Sequence, residues 1–369
     1  MYITYRFRLK DRRLKELKRQ AGAVNFVWNY CNEVMRRRWK ESRKYTNESD
    51  LQKLTVGSSR EMGLCAKSIN MTYQTLCKKA NQVKKPLRWR SGKKNLGWIP
   101  LCNQAIKLDK DRIIFMKRTF QFWKSRDIPE GGRVMSGSFS EDALGHWYVN
   151  LVVKLPEEKF YQEPAKTSEV GIDPGIKTVM TLSTGEKFER DNLTKEYAVK
   201  LAIAQRRGKK KQVKKIHAKI KNKRIDFSHK ASTKLAKEHG VIFFGNVKSA
   251  KLAKTKMASG VYDAGWHQVK NLLAYKTIRR QGMLIVQNEQ NSTVTCSVCL
   301  SKTGPSGLSG LRVREWHCSS CGSEHERDVN AAKNILRLGQ ETLRACLNQP
   351  KGDAQKKQAD KYGRKLIVA

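Results

Sequence analysis

The feature that most constrains this chain is a pair of cysteine knuckles, Cys296-Ser-Val-Cys299 and Cys318-Ser-Ser-Cys321, with eighteen residues between them. That spacing matches a zinc ribbon: each C-x2-C turn lets two thiolates grip one ion, and two turns complete a tetrahedron. Four cysteine ligands leave no open coordination position, so the spacing predicts a structural, not a catalytic, Zn2+. His317 and His325 are available as rival ligands and are expected to stay outside the sphere. A strand-like run, Met283-Leu-Ile-Val-Gln, leads towards Glu289, and a helix opens after the second knuckle around Asp328. The ribbon is thus flanked by two acids.

Charge narrows the partner. Seventy-six Lys and Arg against thirty-three Asp and Glu give a net +43 over 369 residues. An excess of that size repels itself unless a polyanion neutralises it, which points to a long nucleic acid. A basic membrane-surface protein is the rival class. No apolar run approaches the length of a membrane span and no signal-peptide core is legible, so an intracellular protein with no membrane partner is expected. The other cysteines (Cys31, Cys65, Cys77, Cys102 and Cys346) are scattered and odd in number, which suits a reducing compartment.

Residues 2–9 alternate as a strand. From residue 11 the period changes, with Leu14, Leu17, Ala21, Val24, Trp28, Cys31 and Met35 stepping by three and four. That helix is expected to run to about 44, and a second to span about 59–84 before Pro86. Strand-like pieces follow at 98–101, 112–116, 133–135 and 146–155. Residues 1–10 and 85–160 therefore read as a small β-barrel or sheet, interrupted by a helical insertion at 11–84. After a polar linker, 169–185 reads as a hairpin whose first strand delivers Asp173 between Gly171 and Gly175. A basic helix follows at about 193–224, in which eleven of the nineteen residues from Arg206 to Arg224 are Lys or Arg. Acidic partners at i+4 are scarce, so phosphate-backbone contact is expected over a merely solvated face. Buried strands at 241–247 and 283–289 and a helix at 257–281 complete the pattern. From about 340 to 369 the chain reads as a disordered tail.

Strands alternating with helices predict an α/β unit with a parallel sheet, spanning 161–290 and 326–339 with the ribbon at 291–325 inserted. Its functional edge lies at the carboxyl ends of the strands. Asp173 and Glu289 fall there, and Asp328 opens the helix that returns across them. Three carboxylates at one edge suit Mg2+ or Mn2+, oxygen-liganded ions that promote phosphodiester hydrolysis. Each acid alone would pass for a turn or helix-cap residue; the triple points to chemistry.

Gly171-Ile-Asp-Pro-Gly, the basic helix, the four cysteines and Glu326-Arg-Asp-Val-Asn-Ala-Ala-Lys-Asn-Ile-Leu together resemble the transposon-encoded TnpB (OrfB) proteins, relatives of Fanzor and compact type V CRISPR effectors. The resemblance is close across about 170–338 and architectural for 1–160. It implies an α/β RNase H-like (RuvC) nuclease domain carrying the ribbon, and a wedge-type β-barrel interrupted by a helical recognition lobe. It also implies an RNA-guided DNA endonuclease with a guide RNA and target double-stranded DNA as partners, in a prokaryotic cytoplasm or nucleoid. In most of that family the second strand ends in a glutamate, where this chain has Gly245. Some lineages carry the glutamate later, and Glu289 is the residue placed to substitute, because neighbouring strand ends lie about 5 Å apart. A nuclease-dead guided binder and a non-guided DNA-binding zinc protein remain as alternatives. The basic stretch would be a bridge-type helix, with Arg206, Arg207, Lys210, Lys214 and Arg224 against phosphates; Arg327, beside Asp328, would contact the scissile phosphate or else pair with a nearby acid. Tyr73 and Gln74 are candidates for motif reading, or else a core tyrosine and a surface glutamine.

Overall fold

The computed structural model describes residues 1–10, 13–43, 46–84, 87–93, 95–247, 249–307, 309–348 and 367–368. The chain forms two compact units, Met1–Phe160 and Tyr161–Ala369. Among the described residues no helix is long and apolar enough to cross a membrane.

In the first unit β1 (Tyr2–Arg8) is followed by four helices, α1 (Leu14–Ser42), α2 (Glu48–Thr55), α3 (Ser59–Met62) and α4 (Ala66–Val83). Strands β2 (Trp98–Cys102), β3 (Ile106–Asp109), β4 (Arg112–Phe115), β5 (Arg118–Gln121), β6 (Arg133–Glu141) and β7 (Trp147–Lys154) then precede a short α5 (Glu157–Phe160). Alternation in β7 buries Trp147, Val149, Leu151 and Val153 on one face, as period-two patterning requires. The expected β-barrel is not closed. The strands form an antiparallel sheet of order β1-β7-β6-β2 and a separate β3-β4-β5 meander, joined by one bridge from Leu9 to Phe122. Aromatic packing of Phe7 on Phe122, and of Phe139 on Phe115 and Phe120, fills the space between them. Apolar stacking therefore replaces hydrogen-bonded closure.

The second unit begins with the antiparallel strands β8 (Glu169–Asp173), β9 (Thr178–Leu182) and β10 (Lys187–Glu189). The basic stretch is not one helix. It breaks into α6 (Leu193–Glu196), α7 (Ala198–Arg206) and α8 (Lys210–Glu238), because Gly208 turns the chain at φ 62° between the last two. Then come β11 (Val241–Gly245), α9 (Ser249–Leu252), α10 (Ala258–Ala264), α11 (Trp266–Arg279), β12 (Met283–Gln287), a β13–β14 ribbon hairpin (Glu315–His317 and Glu324–Glu326), α12 (Arg327–Asn348) and β15 (Ile367–Val368). The sheet order is β10-β9-β8-β11-β12-β15, with β8, β11 and β12 parallel. Val241-Ile-Phe-Phe is apolar throughout because both faces of β11 are covered. Ile242 and Phe244 pack with Ala231, Leu235, Val269 and Leu273, while Phe243 joins Ile285 and Ile335 on the opposite face. Helices α8, α10 and α11 thus lie on one side of the sheet and α12 on the other. α12 continues to Asn348, so a disordered tail from 340 is corrected there: Leu343 of this amphipathic helix packs on the Phe243 cluster. Residues 349–366 of the expected tail lie outside the described residues.

Candidate active site

Asp173 ends β8 and Gly245 ends β11, with Gly245 paired in register to Gln287 at the end of β12. The Asn246 amide donates to the Gln287 carbonyl at 2.8 Å, which keeps the two chains together just past the sheet. Glu289 follows two residues later and opens a turn in which its carbonyl accepts from the Ser292 amide at 3.0 Å. The Asp-Pro-Gly turn after β8 is fixed by Trp266, whose Nε1 donates to the Gly175 carbonyl at 2.9 Å.

α12 brings the third acid. A Cβ on Gly171 would overlap the Ala332 carbonyl and the Leu336 amide, and one on Gly339 would overlap the Phe243 ring, so glycine lets this helix lie directly on β8 and β11. Gln340 Nε2 donates to Glu169 Oε2 at 2.7 Å, which holds the late part of α12 against the start of β8. The start of α12, with Asp328, must then face the end of β8, with Asp173.

The electrostatics agree with that placement. Burial pushes the Asp173 carboxyl up to about 8, and the charges of Asp328 and then Glu289 push the same way, opposed by Arg327. Arg314, from the ribbon, reaches both Asp328 oxygens at 3.3 and 3.4 Å, and Lys187 on β10 pairs with Glu326. On the other side Lys270 of α11 is held below the usual lysine range by burial, with Glu289 acting in the opposite direction. A buried aspartate whose ionisation two neighbouring acids disfavour, with Arg314, Lys187 and Lys270 around it, forms a site whose charge a divalent cation would relieve.

A Cβ built on Gly245 would lie 3.0 Å from Glu289 Oε2 and 2.9 Å from the Pro174 ring. The volume over the end of β11 is therefore shared by the Glu289 carboxylate, the Pro174 ring and Ile335, whose Cδ1 would lie 3.1 Å away.

The four cysteines Cys296, Cys299, Cys318 and Cys321 present Sγ atoms all within 4.8 Å of one another. Cys296–Cys321 and Cys299–Cys318 stand at 3.7 and 3.5 Å. A tetrahedral ion with bonds of about 2.3 Å would set its sulfurs about 3.8 Å apart, so the donor set fits a metal. His325 Nε2 lies 3.0 Å from Cys296 Sγ, beside the ligand set, and His317 pairs with Glu324 at 3.0 Å.

The nucleic-acid candidates divide. Arg206, Arg207, Lys210 and Lys214 are exposed at and beyond the turn of the α7–α8 hairpin. Arg224 is not available there: its Nε donates to the buried Asp263 carboxylate at 2.6 Å and it also reaches Thr194 at 2.8 Å. Tyr73 is 2% exposed and belongs to the helical core, which removes it as a surface contact, while Gln74 is half-buried. Arg327 turns to the Gly310 carbonyl at 2.8 Å. Reading by sequence missed Arg314, Lys270 and the buried pair Asn330 and Asn334. Two asparagines in the interior of a good helix are the signal that could have found the last two, because Asn is a poor helix former.

Two family profiles match the chain: "Cas12f1-like, TNB domain" over residues 266–335 and the OrfB_IS605 "Probable transposase" over residues 150–256. A Streptomyces pristinaespiralis protein named "Putative RNA-guided DNA endonuclease" is 30% identical, covering 91% of this chain and 88% of that protein. InsQ of Escherichia coli K12, with the same description, is 24% identical over 90% of each. Among solved structures, Cas12f1, in a complex with sgRNA and target DNA, matches with a TM-score of 0.56 at 13% identity, covering 88% of this chain and 82% of that one. The full-length similarity, the two matched profiles and the ribbon between Glu289 and Asp328 converge: this chain belongs to the TnpB/OrfB family of IS605-type transposon proteins.

Proposed function

We propose that the protein is a transposon-encoded, RNA-guided DNA endonuclease with an RNase H-like (RuvC-type) nuclease unit and a rearranged acid site. A guide RNA and target double-stranded DNA are its partners, and a prokaryotic cytoplasm or nucleoid its place of action. The names of the relatives support the partners, and the strand order β10-β9-β8-β11-β12, with three antiparallel strands leading into the parallel ones, supports the fold assignment. The observation that carries the reading is Glu289 Oε2 in the volume that a side chain at Gly245 would need, charge-coupled to Asp173.

Asp173, Glu289 and Asp328 would hold Mg2+ or Mn2+, since oxygen donors suit these ions. Bound there, such ions supply charge for the attacking and leaving oxygens of phosphodiester hydrolysis. The chain's own share is positional. Asp173 must surrender its proton before it can bind a cation, and Arg314 must loosen from Asp328 or turn to the incoming phosphate. Arg206, Arg207, Lys210 and Lys214 would take phosphates of the guide or target, and Gln74 remains a candidate for reading a short transposon-adjacent motif in the duplex DNA. The Cys296–Cys321 cluster would hold a structural Zn2+ that fixes the ribbon.

The test is Mg2+-dependent cleavage of a matched plasmid by protein purified with its RNA. Glu289→Ala should abolish cutting while RNA and target binding persist. Undiminished cutting by that variant would remove Glu289 from the site. Binding without cutting by the unaltered protein would favour the guided, nuclease-dead binder that Gly245 alone suggests.

A further inference from the structure

Between Glu289 and the first knuckle runs a short strap, Ser292 to Ser297, and two side chains of α12 hold it. Asn330 Nδ2 donates to the Thr295 carbonyl at 2.8 Å and to the Ser292 carbonyl at 3.4 Å, while its Oδ1 accepts from the Ser297 amide at 2.8 Å. Asn334 Nδ2 donates to the same two carbonyls, Thr295 at 2.7 Å and Ser292 at 2.9 Å. Both asparagines are 1% exposed and Ser292 is 3% exposed.

The connections form a closed frame. The Ser292 amide donates to the Glu289 carbonyl, and the Ser292 carbonyl is gripped from α12, two residues from Asp328. At the other end Ser297, held by Asn330, is the neighbour of Cys296. Water is excluded, so losing either asparagine leaves each strap carbonyl with one donor instead of two, and losing Asn330 also strands the Ser297 amide, which loosens the strap.

We infer that Asn330 and Asn334 are positioning residues that couple the four-cysteine cluster to the carboxylate site, by fixing Glu289 against Asp328 through the strap. The inference rests on the proposed metal-binding role of the three acids and adds the means by which two of them are kept in register. A local helix position supplies Asp328 and a distant turn supplies Glu289; without a tie, ribbon motion would carry Glu289 away from the pair. Groups that orient metal ligands from behind commonly change metal affinity by about 10–100-fold when removed.

The experiment uses full-length protein purified with its RNA, and reads Mn2+ binding by electron paramagnetic resonance alongside amide hydrogen exchange of 289–297. Asn334→Leu and Asn330→Leu should weaken Mn2+ by about 10–100-fold, speed exchange of the strap, and leave zinc content and RNA retention unchanged. Cleavage by these variants should recover at raised Mn2+, which a globally damaged fold would not allow. Stripping zinc from the unaltered protein should loosen the same amides and weaken Mn2+ in the same way, so the idea does not depend on either variant folding. Asp173→Ala serves as the reference. If it abolishes Mn2+ binding while the asparagine variants and zinc removal leave affinity unchanged, the coupling is refuted and the acid site stands. If Asp173→Ala itself leaves Mn2+ binding intact, the acid-site reading fails, and the coupling with it.

Discussion

Gly245 and Glu289 share one volume: a Cβ on the glycine would approach the glutamate's Oε2 to 3.0 Å, although forty-four positions separate them in the chain. A methyl group at 245 would press on the carboxylate, on the Pro174 ring at 2.9 Å and on Ile335 Cδ1 at 3.1 Å. Gly245→Ala is therefore expected to lower cleavage, by less than the ~100-fold that a misplacement of a reacting group by roughly 1 Å can cost. Gly245→Glu alone should do no better, because two carboxylates would then compete for one space. The exchange Gly245→Glu with Glu289→Gly should recover part of the lost rate. Rates for the three variants on a matched plasmid decide it, and an unimpaired Gly245→Ala would show that Glu289 needs no such clearance.

Asp173 gives the site a pH dependence whose sign is fixed. Its carboxyl is pushed up to about 8 from an ordinary value of 3.8, so the folded chain keeps a proton that the unfolded chain releases. Without divalent ions, stability should fall as pH rises between those two values. Cation affinity should rise over the same interval, because the proton competes with the ion. Melting curves in chelator and in Mg2+ from pH 5 to 9 should diverge progressively with pH. In chelator, Asp173→Asn should flatten the dependence and melt higher than the unaltered protein at pH 8. Parallel curves would argue against a shared site.

The cysteine cluster should behave as one cooperative ligand set. Cys296→Ser or Cys318→Ser, each replacing a buried ligand, is expected to lower bound zinc and destabilise the ribbon, since metal binding and folding of such a module are coupled. Elemental analysis with limited proteolysis between 291 and 325 reads both. His325→Ala, which removes a neighbour of Cys296 Sγ and a ring packed on Trp316, should retain zinc with weaker affinity.

Charge at the α7–α8 turn should act through phosphates. Replacing Arg206, Arg207, Lys210 and Lys214 with Gln is expected to reduce the salt dependence of nucleic-acid binding by about 0.7–0.9 in slope for each phosphate no longer neutralised. Arg224→Gln should instead act on the fold, because it removes the ion-pair partner of the buried Asp263 carboxylate and leaves it the Thr194 hydroxyl, at a cost of up to about 3 kcal/mol. Salt titration and thermal melting separate the two classes. A melting point unchanged by Arg224→Gln would return that residue to the binding surface.

Sequence alone settled what depends on local spacing. Two knuckles define a tetrahedral donor set because ligand bite is set within a few residues. The β8–β9 hairpin, the parallel strands β11 and β12 and the start of α12 were legible from period and composition, and with them Asp173 at a strand end and Asp328 at a helix start, whereas Glu289 falls in the turn two residues past the end of β12. Tertiary contacts decided the rest. Tyr73 falls into the core, Arg224 is spent on an aspartate thirty-nine residues away, and the first sheet stays open because aromatic packing joins it to the meander. Whether a carboxylate fills the space over Gly245, and which amides hold it there, depends on the pairing of β11 with β12 and on α12 lying across the sheet. No local pattern encodes the hold on Glu289, because Asn330 and Asn334 reach its strap only where Gly171 and Gly339 let α12 settle on the sheet.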